Sequence, residues 1–394
     1  MDPYFPQPPG QGRTIRVCAR CLMPDSRPRI VFDHEGVCNA CRHAEAKERI
    51  DWEARKAEFA ALCDAHRSKD GAWDCIVPWS GGKDSSSIAL KLKNEWGMNP
   101  LLVTFSPMLQ NTVGEHNREA LLRLGFDNLF FRPDQRVMRR LARRFFVERG
   151  NPKVCWDAGV NALPVRAAVE KNIPLVFYAE HGESEYGGRV LSPEHQKRRD
   201  FTEVLEHQIG DDPRNWEDGE ISARELNPYL YPALADVARV GVKAYYFGYF
   251  FRWSMAGNYD YVRERYDFKT APGGRTEGAF TAYDSLDDKM DGLYYYMQYV
   301  KFGFGRAVRE ACRLIQNGRM TRAEAVEKAL PFDGEFPARR HAEVLDYLGM
   351  DQRTFEETVD MHRNAEIWRR EDGVWKLTFD PAGGQETTSE EERS

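Results

Sequence analysis

The chain has 394 residues, of which 42% are hydrophobic and 12% aromatic, so it can bury a sizeable core in one large domain or in two to three smaller ones. Its formal net charge of −6 argues against the basic surface of a nucleic-acid-binding protein, and we expect no nucleic-acid partner. No apolar run approaches the ~20 residues of a membrane span, and no signal-peptide pattern stands at the N-terminus. We therefore expect a cytoplasmic protein that makes no membrane contact.

Four of the eight cysteines form two C-x-x-C pairs near the N-terminus, after a Pro- and Gln-rich segment (1–12) that we expect to be disordered. Cys18 and Cys21 are separated by sixteen residues from Cys38 and Cys41. This spacing predicts a zinc ribbon in which four thiolates surround one Zn²⁺, and four thiolates leave no open position, so the ion is expected to be structural. A redox dithiol and a chance group of cysteines are the alternatives.

Residues 44–65 carry apolar side chains at helical spacing among many charges, which predicts one amphipathic helix that connects the ribbon to the rest of the chain. A short apolar strand at 75–78 then leads into the sequence SGGKDS at 80–85, and a helix is expected from Ser85 to the glycine at 97. A strand, a glycine turn and a helix N-terminus aim backbone N–H groups at one point, where a phosphate can bind. An ordinary glycine-rich turn is the alternative.

The spacing of this loop is neither that of a Walker A motif nor G-x-G-x-x-G. It resembles the PP-loop of the ATP pyrophosphatases, which transfer AMP to a substrate oxygen and release pyrophosphate. The resemblance implies that the loop binds ATP with Mg²⁺, and that the end of the second strand contacts adenine. The residues it assigns to the nucleotide are Ser80, Gly81, Gly82, Lys83, Asp84, Ser85, Ser86, Thr104 and Phe105.

Strands and helices alternate after the loop, which predicts an α/β fold with a doubly wound parallel sheet. The expected strands are 101–105, 128–131 and 174–178, and the expected helices are 115–124, 136–149 and 162–171. Ligands bind beyond the carboxyl ends of such strands, which places the loop at 80–85 and the acidic segment at 179–188 on one rim. That segment could orient magnesium, a sugar or ammonia, and a loop of exposed acids is the alternative.

Other features of this region are ambiguous. The helix at 136–149 carries Arg136, Arg139, Arg140, Arg143 and Arg144 around an apolar stripe, and these side chains could bind RNA or a partner protein or could simply be solvated. Cys155 lies in an apolar neighbourhood and is interpreted as a packed thiol. The polar segment 194–220 is expected to be a lid or an insertion over the site.

The aromatic run at 244–253 predicts a further strand. The acids at 284–288 are read as helix capping, or as ligands for a metal or an amine. From residue 306 onward we expect helices, two of which begin at capping boxes, Thr321 with Glu324 and Thr354 with Glu357. We expect a disordered tail at 383–394. The predicted domains are 1–70 with the arm, ribbon and linker helix, 71–270 with the nucleotide-binding fold, and 271–394 with the mostly helical C-terminal region.

Six stretches between about residues 14 and 365 are similar to the N-acetyl sugar amidotransferase family of bacterial surface-polysaccharide (lipopolysaccharide O-antigen) biosynthesis. They are CARCLMP at 18–24, CNAC at 38–41, SGGKDS at 80–85, AEHGESEYGG at 179–188, YDSLDDK at 283–289 and KFGFGR at 301–306. The resemblance implies a PP-loop (HUP-like) fold and an enzyme that converts the acetamido group of a nucleotide-linked sugar into an acetamidino group. It also implies that ammonia comes from a partner glutaminase and a cyclase-like barrel protein.

The expected chemistry follows from the poor leaving ability of an amide oxygen. Transfer of AMP to that oxygen makes it replaceable by ammonia, and Lys83 with Mg²⁺ would stabilise the departing pyrophosphate. Asp84 would position the loop or a metal, while Glu183 and Glu185 would hold ammonium and deprotonate it. The rival hypotheses are a sulfur transferase that uses Cys155 as persulfide carrier, and a zinc-ribbon binding module without activity.

Overall fold

The computed structural model describes residues 14–188, 192–200, 204–205 and 209–383, so the predicted N-terminal arm and nearly all of the predicted tail lie outside it. A five-stranded parallel sheet in the order β3-β2-β1-β4-β5 forms the centre of the molecule. Its strands are β1 Cys75–Pro78, β2 Pro100–Phe105, β3 Asp127–Phe131, β4 Leu175–Tyr178 and β5 Lys243–Tyr246. The chain reverses its winding direction between β1 and β4, which confirms the predicted doubly wound α/β fold and places a crevice at the carboxyl ends of these two strands.

Helices cover both faces of this sheet and continue into the C-terminal region. Their bounds are α1 Asn39–Ala46, α2 Trp52–Ala65, α3 Lys83–Asn94, α4 Thr112–Leu122, α5 Gln135–Arg149, α6 Val154–Lys171, α7 Gly182–Tyr186, α8 Pro193–Lys197, α9 Leu234–Val240, α10 Phe247–Phe250, α11 Met255–Arg263, α12 Asp291–Phe302, α13 Arg306–Gln316, α14 Arg322–Ala329, α15 His341–Leu348 and α16 Gln352–Met361. None of the helices in the described ranges is long and apolar enough to cross a membrane.

The two faces of the sheet bury separate cores because successive strand residues point in opposite directions. Ile76 of β1 packs in the core formed with α5 and α6, while the next residue, Val77, packs in the core formed with α2 and α3. A third apolar cluster joins the N-terminal ribbon to α13 and α14, with Leu22 and Phe304 among its members. The ribbon and the C-terminal region therefore form one side of the molecule together.

Four predicted boundaries in the N-terminal half are wrong, one of them being the start of α4, which lies at Thr112 rather than at 115. The single helix expected at 44–65 is divided into α1 and α2, because Asp51 caps α2 by accepting a hydrogen bond from the Ala54 N–H at 2.9 Å. Helix α3 begins at Lys83, two residues earlier than expected. Helix α6 begins at Val154 rather than at 162, and its first turns are buried, so they lack the one-sided hydrophobic pattern that marks a surface helix.

The C-terminal half contains three further corrections. The strand expected at 244–253 ends at Tyr246, and its aromatic continuation forms the short α10, which packs on Phe59. The capping box at Thr321 is confirmed, but Thr354 does not begin a helix, because Asp351 is the N-cap of α16 and accepts from the Thr354 N–H at 2.7 Å.

A β-hairpin also interrupts the helices that we expected from residue 306 onward. It consists of β6 Trp368–Glu371 and β7 Val374–Leu377, joined by Asp372 and Gly373 with φ angles of 50° and 82°. An Asp-Gly pair accepts positive φ at both positions, which suits a two-residue hairpin turn.

The arginines of α5 bind neighbouring segments of the same chain. Arg144, for example, donates to the Trp216 carbonyl at 3.1 Å, and Trp216 packs edge-on against Phe145. Arg136, Arg139 and Arg140 pair with the side chains of Glu225, Asp346 and Glu220. Arg143 and Arg149 donate to the carbonyls of Gly349 and Ile209. The described end of the polar segment at 194–220 therefore contacts α5, and the arginine-rich helix has a structural role within the chain.

Candidate functional site

The four cysteines of the ribbon come together as the sequence predicts. Their sulfur atoms all lie within 4.8 Å of one another, all four residues are buried, and Cys21 Sγ is 3.8 Å from Cys38 Sγ. A Zn–S bond of about 2.3 Å in a tetrahedron requires sulfur atoms about 3.8 Å apart, so the donor set fits a zinc ion of the structural kind.

The ribbon is attached to the predicted acidic rim by ion pairs. Glu183 accepts two hydrogen bonds from Arg29, at 2.8 and 2.6 Å. Glu185 accepts from Lys47 at 2.5 Å and lies 3.6 Å from His43. Burial opposes ionisation of Glu185, but the hydrogen bond from His43 and the charge of Lys47 outweigh it and lower the pKa of this carboxyl group. Both predicted acids are thus paired with cations of the ribbon, and their role in holding ammonium stays a prediction.

The loop at 80–85 has the backbone of an anion site. Gly81 has a φ of 93°, and a Cβ at this position would overlap the side chain of Arg118, so only glycine fits. The Gly82 N–H donates to Ser80 Oγ at 3.2 Å. No described side chain caps the start of α3, in contrast to α2, α4 and α5. The N–H groups of its first turn can therefore bind a ligand.

Lys83 is buried at 3% exposure in the first turn of α3, between two carboxylates. Its Nζ lies 2.8 Å from Asp84 Oδ2 and also pairs with Asp284. Burial opposes a charged lysine, but the two carboxylates prevail and raise its pKa, so Lys83 carries its positive charge at neutral pH. Asp84 in turn accepts from Asn258 Nδ2 at 2.8 Å, which orients the carboxylate.

Three residues assigned to ATP by resemblance turn their side chains into the protein. Ser86 Oγ accepts from the indole N–H of Trp79 at 2.9 Å. Thr104 Oγ1 donates to the Trp79 carbonyl at 2.6 Å, and the ring of Phe105 packs where Gly159 leaves room for it. An adenine contact at the end of β2 would consequently involve backbone atoms, and these assignments stay predictions.

Several site residues were not singled out from the sequence. The cleft consists of two adjoining, narrow, solvent-open pockets, which share Met255, Arg313 and Asn317. The smaller one reaches Asp284, the partner of Lys83, and the larger one reaches His43 and other residues of the ribbon helix. The ribbon therefore forms one wall of the cleft that leads to Lys83. Asp284 lies in a stretch that the family resemblance marks, but Arg313 has no such signal.

A half-buried acid, Glu180, lies beside this cleft just after β4. Burial raises the pKa of Glu180, the charge of Asp84 acts in the same direction, and the hydrogen bond from the Tyr186 hydroxyl opposes them. The guanidinium of Arg313 lies 3.7 Å from the centre of the Tyr186 ring. Glu180 thus shares one environment with the loop and with α13.

Cys155 is fully buried, with its sulfur 3.9 Å from the Met138 carbonyl. Burial raises the pKa of its thiol to about 12. A thiol that stays protonated and inaccessible is a poor sulfur carrier, since the thiolate is the reactive form.

One comparison with known proteins assigns part of the chain to a family. Residues 277–380 match the family model described as the C-terminal domain of WbpG-like lipopolysaccharide (LPS) biosynthesis proteins. No curated protein matches the chain. The matched segment contains Asp284 and all of α13, so it supplies one side of the cleft. The match confirms the resemblance to an LPS biosynthesis family that the sequence motifs indicated.

Proposed function

We propose, taking this chain as a WbpG-like LPS biosynthesis protein, that it is an ATP-dependent amidotransferase. Its substrate would be a nucleotide-linked N-acetyl sugar, whose acetamido oxygen it adenylates and then replaces with ammonia. The observation that carries the proposal is the ion pair between Lys83 and Asp284. This ion pair joins the loop that we propose to bind phosphate to the family-matched segment.

The reaction balances without an oxidant or reductant. The amide oxygen attacks the α-phosphorus of ATP, and the bond to the bridging oxygen breaks, so that pyrophosphate leaves. Ammonia then adds to the activated carbon, the C–O bond breaks, and AMP departs with the former amide oxygen. The products are an amidine, AMP, pyrophosphate and one proton.

The loop would bind and orient the phosphates in this scheme. The uncapped N–H groups at the start of α3 point to the leaving group, and Lys83 holds a positive charge beside it without needing to reorganise. In this proposal Asp84 would hold Mg²⁺, which when bound neutralises charge on the phosphates.

Ammonia activation has two candidate locations. The sequence-based candidates, Glu183 and Glu185, are paired with Arg29 and Lys47. Glu180 has a raised pKa and lies close enough to Asp84 to feel its charge, which suits a base that receives a proton from ammonium. A comparison of Glu180→Gln with Glu183→Gln and Glu185→Gln separates the two locations. A loss of turnover with ammonium in the first variant alone favours Glu180.

The proposed reaction is tested with purified protein, ATP, Mg²⁺, ammonium and a panel of nucleotide-linked N-acetyl sugars. We expect AMP to form only when both the sugar and ammonium are present, and the sugar to show the mass decrease that follows from replacing O with NH. Glutamine should replace ammonium only when a glutaminase and a cyclase-like barrel partner are added. Absence of AMP with every sugar offered would refute the proposal.

A further inference from the structure

Three arginines beside the cleft make no ion pair with a carboxylate in the described part of the chain. Arg309 and Arg313 are one turn apart on the same face of α13. Arg27 comes from the ribbon. Their hydrogen-bond acceptors are all uncharged, namely Gln298 Oε1 for Arg309 at 3.1 Å, Met255 Sδ for Arg313 at 2.9 Å, and the Gly187 carbonyl for Arg27 at 3.2 Å.

These guanidinium groups are close enough to disturb one another. Burial lowers the pKa of Arg27 to about 10, and the positive charge of Arg309 is the next largest cause. Arg313 acts in the same direction, while Glu183 opposes it. Carboxylates act on this cluster only from a distance, since none forms an ion pair with the three guanidinium groups in the described ranges. Grouped like charges without directly paired acids destabilise a fold, and a bound anion would relieve that cost.

The position of the cluster relates it to the reaction. Arg313 lines both cavities of the cleft and feels the charges of Asp284 and Glu180. Nearby Arg306 is only 5% exposed, and its Nη2 has no hydrogen-bond partner in the described ranges. The cleft thus has a phosphate-binding loop at Lys83 and a second, cationic region where the ribbon meets α13.

We infer that Arg27, Arg309 and Arg313 bind the diphosphate of the nucleotide-linked sugar. This inference rests on the proposed function, because it takes that sugar as the occupant of the cleft. The phosphates of ATP already have a site at the loop, so the diphosphate is the remaining strong anion of the reaction. Guanidinium groups suit it because their planar donors bind two phosphate oxygens at once. The sugar bound in this way extends along the cleft toward Lys83.

The inference is tested by titration calorimetry of the full chain with UDP as the probe, in parallel with ATP. We expect Arg27→Gln and Arg309→Gln each to weaken UDP binding by about 10- to 100-fold, since each removes a charge-assisted hydrogen bond. ATP affinity should change by less than about twofold, because the loop is intact. Arg353→Gln is the matched control, as this side chain is 87% exposed and distant in sequence from all three.

The folding of the variants provides a second measurement. Loss of one of several like charges should leave the unliganded melting temperature unchanged or slightly raised. The stabilisation that a fixed UDP concentration gives to the wild type should be clearly smaller in the variants. UDP affinity that stays within about twofold of wild type in both variants would overturn the inference. So would weaker binding of ATP rather than UDP, or a wild-type chain that binds no UDP.

These outcomes are distinguishable from failure of the proposed reaction. If UDP binding depends on the arginines but no sugar yields an amidine, the diphosphate site stands and the amidotransferase proposal fails. If an amidine forms with unaltered KM for the sugar in both variants, the reaction stands and the diphosphate site is wrong.

Discussion

The zinc ribbon and the glycine loop are both short motifs, but they differ in how much of their site they contain. The ribbon draws all four thiols from residues 18–41, and their sulfur atoms meet without any other part of the chain. The loop depends on distant residues, because Lys83 pairs with Asp284, 201 positions later, and Asp84 binds Asn258, 174 positions later. Spacing can therefore predict a local four-cysteine cluster, while the surroundings of the loop are completed only by the tertiary fold.

The sharpest test of this difference is Lys83→Gln. Removal of the charge beside the departing pyrophosphate should lower AMP formation by about 10³-fold or more. The ribbon should keep its zinc, because no thiol is touched. Metal content and AMP release, measured on the same preparation, check both halves of this prediction.

Lys328→Gln serves as the control, since this residue is exposed on α14 and should have full activity. Retained AMP formation in the Lys83 variant would show that the loop is not the nucleotide site.

The second test removes one cysteine of the ribbon and measures the effect on the reaction proposed for the loop. Cys41→Ser should lose its zinc, and the wall formed by α1 should move away from Glu183 and Glu185. We expect turnover of the sugar to fall by about 10²-fold, as misplacement of a substrate wall does, with little change in ATP affinity. Zinc analysis and steady-state kinetics measure the two effects.

Cys155→Ala is the matched control for the ribbon, because it removes a buried cysteine outside the zinc site. It should keep both zinc and activity. Loss of activity in this variant alone would instead favour the sulfur-transferase hypothesis, in which Cys155 carries a persulfide.

A milder change isolates the remote partner of the loop. Asp284→Asn preserves shape but removes one of the two charges that hold Lys83. Since Asp84 remains, we expect turnover to fall by about tenfold and stability by about 2 kcal/mol, the range of a hydrogen bond to a charged group. Urea unfolding and AMP formation give these values.

Asp64→Asn offers an exposed carboxylate for comparison and should change neither quantity. If Asp284→Asn had the same turnover and stability as this control, the ion pair between Lys83 and Asp284 would contribute to neither.

The same contrast explains which features the sequence could predict. Alternating strands and helices were sufficient for the sheet, and Thr321 was sufficient for the start of α14, because these signals are local. The buried first half of α6 has no amphipathic pattern, so its start was missed. The hairpin turn at Asp372 and Gly373 does carry a local signal, since an Asp-Gly pair favours a two-residue turn, but the surrounding region is predicted to be helical.

The candidate site divides in the same way. The ribbon cysteines and Lys83 are recognisable from their motifs. In contrast, the sequence gives no sign that Glu183 and Glu185 form ion pairs. Their cations, Arg29 and Lys47, come from another part of the chain. Ion pairs between segments far apart in sequence leave no periodic pattern, so only the fold could reveal them.

The smallest expected effect concerns Asp157, which belongs to neither motif. Burial raises the pKa of this carboxyl group from 3.8 to about 7, Lys153 opposes the shift and Asp291 adds to it. A raised pKa means that the folded state favours the protonated form, so wild-type stability contributed by this group is lost as pH rises from about 4 to about 7. Asp157→Asn cannot ionise and escapes this loss.

The Asp157→Asn variant should therefore match the wild type near pH 4 and exceed it at pH 8 by about 2 kcal/mol, measured by urea unfolding. This is about half of what the full pKa shift implies, because the side chain is only partly buried and solvent weakens the effect. The gain should grow with pH and level off above about 7. Asp346→Asn, whose side chain is 84% exposed, should show no such trend. A constant difference at every pH would mean that Asp157 has the same pKa in the folded and unfolded states, so that the charge of Lys153 cancels the effect of burial.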